Sequence, residues 1–98
     1  MTVYISGAIT GTDDYMERFA TAEQRLISKG YSVINPAKIC SMLPEINWYE
    51  YMTVCVPLLK LCNYIYVIDG ISISEGVRTE LKIARQNNIE TLKLGDAF

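Results

Sequence analysis

Val3-Tyr4-Ile5-Ser6-Gly7-Ala8-Ile9-Thr10-Gly11 and, far along the chain, Ser74-Glu75-Gly76-Val77-Arg78-Thr79-Glu80 read alike: each is a turn joining a β-strand to a helix. In the first, Thr2 to Ser6 is a short apolar, β-branched run that stops at a glycine, as a buried strand does. Its small residues let a ligand approach the backbone. The second places a hydroxyl, a glycine and a carboxylate at the start of a helix. In an open α/β sheet both turns open at the carboxyl ends of parallel strands, where such folds bind ligands. Glu80 lies six residues beyond Ser74, between one and two helical turns, and so faces the same crevice. That arrangement suits holding a sugar phosphate and attacking or polarising its anomeric carbon.

Working outward, strand and helix signals alternate without repeat, linker or low-complexity tract. Thr12 or Asp13 is placed to cap a helix running to about Lys29, with Tyr15, Phe19, Ala22 and Leu26 at helical spacing and Gly30 as its stop. Tyr31 to Ile34 reads as a second strand, ended by Asn35-Pro36. A loop carrying Pro44 then leads to an Asn47-capped helix with Trp48, Tyr51, Met52, Cys55 and Leu59 on one side. Pro57 predicts a kink or break there. Tyr64 to Ile68 is the third strand, Ser74 to Asn87 a helix with Val77, Leu81 and Ala84 inward, and Ile89 to Leu94 the fourth strand. This β-α-β-α-β-α-β order implies right-handed crossovers. The expected fold is a single α/β domain over residues 1–98, a flavodoxin- or Rossmann-like three-layer sandwich whose four-stranded, mostly parallel sheet runs in the order 2-1-3-4.

Composition narrows the chemistry. The chain has 98 residues, half apolar and a fifth charged, the makeup of an ordinary globular domain. Its net charge of −2, without a Lys/Arg run, argues against an extended nucleic-acid partner. Neither a signal peptide nor an apolar stretch of transmembrane length is seen, so no membrane partner is expected. Histidine is absent, which removes imidazole acid/base catalysis and His metal ligands. Cys40, Cys55 and Cys62 are odd in number and lack close pairing, which points to reduced thiols in a cytoplasm. They read as core packing, with a reactive Cys55 as the alternative, and no metal site or cofactor is expected. Tyr64 and Tyr66 share a strand face and should pack under a helix. Trp48 and Tyr49 open a helix near the crevice and are candidates for base stacking.

The two turns together resemble the loops of the nucleoside deoxyribosyltransferase superfamily, which includes the deoxynucleoside monophosphate N-glycosidases. The first loop is Tyr4-Ile5-Ser6-Gly7-Ala8-Ile9-Thr10-Gly11, and Ser74-x-Gly76-x-x-x-Glu80 is similar to the second loop with its nucleophile. With the tract Trp48, Tyr51-Met52 and Cys62-Asn63, the chain also resembles small phage and bacterial members of unassigned function. The resemblance implies that Glu80 attacks the anomeric carbon of a nucleoside or nucleotide, that Tyr4 lines the sugar site, and that Ser74 and Gly76 receive a phosphate. It extends the ligand-binding set to Ser6, Gly7, Ala8, Ile9, Thr10, Gly11 and Trp48. It also departs from the pattern. Counted back from Asn63, Cys55 stands where the enzymes carry an assisting aspartate, and Asn63 stands where a related aspartate is common. Thr10 replaces an arginine and Ala8 a serine of the monophosphate glycosidases. Asp69, ending the third strand, is placed to act as the second carboxylate, or serves only as an exposed turn residue.

Several readings therefore stay open. Ser74 is an N-cap and Glu80 a solvated helix residue, or both belong to a pocket. The chain is an N-glycosidase or deoxyribosyltransferase, a catalytically lapsed nucleotide binder, or an interaction module that kept the fold. The aromatic-rich middle helix and the related enzymes' habit of completing each pocket from a neighbour imply a homodimer or a dimer of dimers.

Overall fold

A computed structural model of the chain describes residues 1–8, 14–68 and 74–93. The elements run β1 (Thr2–Ser6), α1 (Tyr15–Ser28), β2 (Ser32–Ile34), α2 (Pro36–Cys40), α3 (Trp48–Lys60), β3 (Tyr64–Val67), α4 (Glu75–Gln86) and β4 (Glu90–Thr91). The sheet is parallel throughout, in the order β2-β1-β3-β4, as the alternating pattern predicts. Ser6 pairs with Val67, so the ends of the two central strands lie side by side. From β1 the chain crosses to one edge of the sheet and from β3 to the other. The crevice between their following segments is the switch point where ligands bind in this architecture.

Helices cover both faces because alternate residues of β1 are apolar in both directions. Val3 and Ile5 meet Phe19, Ala22 and Leu26 of α1 on one face. Tyr4 and Ile65 meet Cys55 and Leu59 of α3 and Ala84 of α4 on the other. Tyr64 and Tyr66 pack against the α1 side, as their shared face requires, and Tyr31 sets its ring edge-on to Tyr64 at 6.0 Å. Among the described residues no helix is long and apolar enough to cross a membrane.

Four boundaries differ from the sequence reading. Asn35-Pro36 does end β2, but it also begins α2: the Asn35 side chain accepts from the Lys38 N–H at 3.1 Å, and Pro36 occupies the first turn, where its missing N–H costs nothing. Pro57 does not break α3, which continues to Lys60. It faces solvent, on the side of the helix where a carbonyl left without its N–H donor is open to water, while Cys55 and Leu59 anchor the helix on either side of it. Helix α1 starts at Tyr15 with Asp14 at its cap position; Thr12 and Asp13 lie outside the described residues. Strand β4 spans only Glu90–Thr91, although the Leu92 N–H still donates to the Ile65 carbonyl at 2.8 Å.

Candidate functional site

Alternation along β1 points Tyr4 and Ser6 to the same face, toward α4. Three turns of α4 send Val77, Glu80 and Ala84 inward, and Glu80 is the polar member of that stripe. The three polar groups meet. The Ser6 hydroxyl donates to Glu80 Oε1 at 2.7 Å, and the Tyr4 hydroxyl donates to Glu80 Oε2. Tyr4, Ser6 and Glu80 are all buried, Glu80 with 5% of its surface exposed. Burial pushes the Glu80 carboxyl above the usual carboxylate range, and the two hydroxyl donors pull part of the way back. Burial beside that carboxyl raises the Tyr4 phenol in turn, so Tyr4 remains a proton donor to Glu80 rather than an anion.

Above Glu80 lies a cavity of about 590 Å³, walled by Gly7, by Trp48, Tyr51 and Met52 of α3, and by Ser74, Glu75 and Gly76 at the start of α4. Its remaining lining residues are Ile46 and Asn47. The size suits a nucleoside-sized molecule. Asn47 caps α3 through a reciprocal pair with Glu50, at 2.9 and 3.0 Å, which fixes the helix start and hence the Trp48 indole. Trp48 is 40% exposed with Tyr49 edge-on at 5.2 Å, leaving the indole open to the cavity. Cys55 sits deeper, fully buried in the cluster of Tyr4 and Leu59, with Tyr51 packed at its edge. The sequence reading did not single out Tyr51 as a site residue. Its position four residues before Cys55, one helical turn away, is the signal that could have found it.

The expected site residues fall into three groups. Glu80, Gly7, Trp48, Ser74 and Gly76 line the cavity. Tyr4 and Ser6 do not: both are buried, and their hydroxyls hold the Glu80 carboxylate. Ala8 lies two residues beyond β1, its carbonyl accepting from Arg18 at 3.2 Å, and is not among the lining residues. Ile9, Thr10, Gly11 and Asp69 lie outside the described residues. Asn63 is at the opposite end of the sheet, where its side chain accepts from the Thr2 N–H at 2.8 Å, so it cannot tune Glu80. Of the two positions where a carboxylate is replaced, Cys55 and Asn63, Cys55 is the one packed against Tyr4.

Ser74 plays its bland part and leaves room for the other. Its hydroxyl accepts from the Val77 N–H at 3.1 Å, capping α4. The Glu75 and Gly76 N–H groups, earlier in the same turn, have no acceptor within the helix. A methyl group built on Gly76 would meet the Trp48 indole nitrogen at 3.6 Å, ordinary contact, so the glycine keeps the cavity wall low without being sterically required. Ser74→Ala is expected to lower stability by about 1 kcal/mol and Ser74→Asp to restore most of it, as read from urea denaturation. Equal stability of all three proteins would exclude the cap.

Comparison with known proteins fits this architecture. A search of curated proteins gives no match. Among solved structures, a 2-deoxyribosyltransferase from the psychrotolerant bacterium Bacillus psychrosaccharolyticus superposes with a TM-score of 0.64 at 17% identity, covering 98% of this chain and 77% of that one. At that identity the likeness concerns the fold alone. The model of one family, described as a domain of unknown function (DUF4406), matches residues 1–93, and the chain belongs to that family.

Proposed function

We propose that the cavity binds a nucleoside and that Glu80 attacks its anomeric carbon, releasing the base. The observation that carries this reading is a carboxyl buried at the floor of an open cavity and held there by two hydroxyl donors. A side chain serving only stability has no reason to be charged at that place. In the reaction one carboxylate oxygen of Glu80 forms a bond to the anomeric carbon as the N-glycosidic bond breaks. The base departs with the bonding pair and takes a proton from solvent. Positive charge builds on the sugar ring in the transition state, and a desolvated carboxylate next to it is stabilising. Water or a second base then displaces the ester oxygen. Tyr4 and Ser6 receive the returning negative charge on Glu80 through their hydrogen bonds. Trp48 stacks on the base.

Charge favours a nucleoside over a nucleotide. Two carboxylates, Glu75 and Glu80, line the cavity, and none of the Lys and Arg residues does. Residues 9–13 and 69–73 contain no Lys or Arg either, and both include an aspartate. A phosphate dianion would meet only the α4 N–H groups and would be repelled by the carboxylates.

The test is incubation of the protein with deoxyribo- and ribonucleosides and their 5′-monophosphates, with chromatographic detection of free base and mass spectrometry of the Glu80 peptide. Base release from unphosphorylated substrates, with a sugar ester on Glu80, is expected. Indistinguishable release by the wild type and Glu80→Ala at high enzyme concentration sinks the proposal. One observation favours a second reading, a binder without turnover: Cys55, a neutral thiol, stands where the related enzymes place an assisting carboxylate. That reading expects ligand-induced thermal stabilisation that survives Glu80→Gln, with no product.

The same proposal extends to assembly. Met42 and Tyr49 are each more than three-quarters exposed, and Trp48 and Leu43 add apolar surface along the start of α3. A homodimer covering this face is expected by light scattering, and a monomer at micromolar concentration would remove it.

A further inference from the structure

Cys40 and Cys55 are 15 residues apart in sequence, yet their sulfur atoms lie 3.9 Å apart where the end of α2 meets the middle of α3. Nothing in the glycosyl chemistry above uses either thiol. Cys55 is fully buried and Cys40 half-buried, so one member of the pair meets solvent and the other does not. A disulfide needs a sulfur separation near 2 Å, so closure requires a movement of about 2 Å. The side that can give is Cys40. It is the last residue of a five-residue helix, and residues 41–45 after it are exposed. Cys55, by contrast, lies within a thirteen-residue helix and is packed against Tyr4 and Leu59.

We propose that Cys40 and Cys55 are a reversible oxidation site, closed to an intramolecular disulfide by a hydroperoxide. The peroxide first transfers one oxygen atom to the Cys40 sulfur, giving a sulfenic acid and releasing water or an alcohol. The Cys55 sulfur then attacks the Cys40 sulfur. The S–O bond breaks, the S–S bond forms, and the hydroxyl leaves as water with the Cys55 proton. Two thiols are oxidised by two electrons, and one peroxide is reduced. Burial pushes the Cys55 thiol up to about 12, so the oxidant meets the half-buried Cys40 sulfur first and Cys55 closes the bond afterwards. A transient pair of this kind is compatible with a reducing compartment, where lasting disulfides are not. Closure takes place against Tyr4, which packs with Cys55 and donates to Glu80, so it reaches the group that holds the carboxylate.

The test uses the whole protein, freed of reductant and treated with a small excess of hydrogen peroxide, then denatured and alkylated. Titratable thiols should fall from three to one, and the intact mass should drop by two hydrogen atoms. Cleavage after Glu45, Glu50 and Lys60 separates all three cysteines, so a non-reduced digest should hold a cross-linked Cys40–Cys55 pair with Cys62 alkylated on its own peptide. Dithiothreitol should restore all three thiols. Cys40→Ser should abolish the cross-link and Cys62→Ser should leave it. The wild-type digest alone decides the matter, whatever the variants' stability. Three surviving thiols, added oxygen on Cys40 without a link, a bond to Cys62, or a dimer of doubled mass would each overturn the proposal.

Discussion

Glu80→Gln should abolish base release, by about 10³-fold or more, while making the folded protein more stable at neutral pH. The amide is the same shape as the carboxylate. Its oxygen accepts from the Tyr4 hydroxyl, and its NH₂ donates to Ser6 Oγ once that hydroxyl rotates, so both contacts seen in the wild type survive. What disappears is the nucleophile and the buried charge. The sign of the stability change follows from proton linkage. Because burial raises the Glu80 carboxyl, the folded chain still holds a proton where the unfolded chain has lost it. The wild type is therefore most stable below the ordinary carboxyl range and loses stability as pH rises through the raised folded value. Glutamine does not titrate, so the gap between the two proteins should open as pH rises and then level off. Urea denaturation of both proteins across pH 4–8 measures it. A Glu80→Gln protein less stable than the wild type at neutral pH would make Glu80 a structural anchor and undercut its role as nucleophile.

How much of this could be seen in the chain alone depends on the range of the contacts involved. Val3 to Ser6 and Tyr64 to Ile68 declare themselves as buried strands because their neighbours along the chain suffice to say so. The helical stripe Phe19, Ala22, Leu26 does the same for α1. The strand order follows, because parallel strands joined by right-handed crossovers leave few arrangements. Helix α2 was hidden by a double signal: Asn35-Pro36 both stops a strand and starts a helix, and a local reading takes the first meaning. At the site, the spacing of Ser74 and Glu80 marked a helix start facing a crevice. The depth of Tyr4 was not legible, since whether a strand tyrosine lines a cavity or supports its floor depends on which helix covers it. Asn63 shows the hazard of counting. It aligned in number with a functional position but sits at the amino end of the sheet. The meeting of Cys40 with Cys55 depends on how α2 docks beside α3, a relation that no spacing in the chain encodes.

Gly7 leads to the last expected result, which joins the core to the cavity. The turn after β1 suggests a glycine that lets a ligand approach the backbone. The structure adds a different reason from below. A methyl group on Gly7 would lie 3.3 Å from two ring carbons of Phe19 and 3.2 Å from Ile68 Cδ1, closer than packed atoms tolerate without shifting. Phe19, 1% exposed, fills the space between α1 and β1 and supports the Gly7 backbone at the edge of the cavity. Phe19→Ala should therefore lower stability by about 3–5 kcal/mol, a large share of the ~5–15 kcal/mol typical of a domain. Gly7→Ala alone should cost about 1–3 kcal/mol through overpacking. The two changes should not add. With the ring gone the new methyl group enters the space it vacated, and only Ile68, whose terminal carbon can turn aside, still opposes it. Gly7→Ala should then cost less than half as much in the Phe19→Ala background, a coupling that a double-mutant cycle in urea resolves. Strict additivity would mean that Gly7 is required by its backbone or by a ligand above it, and that the ring below is irrelevant to it.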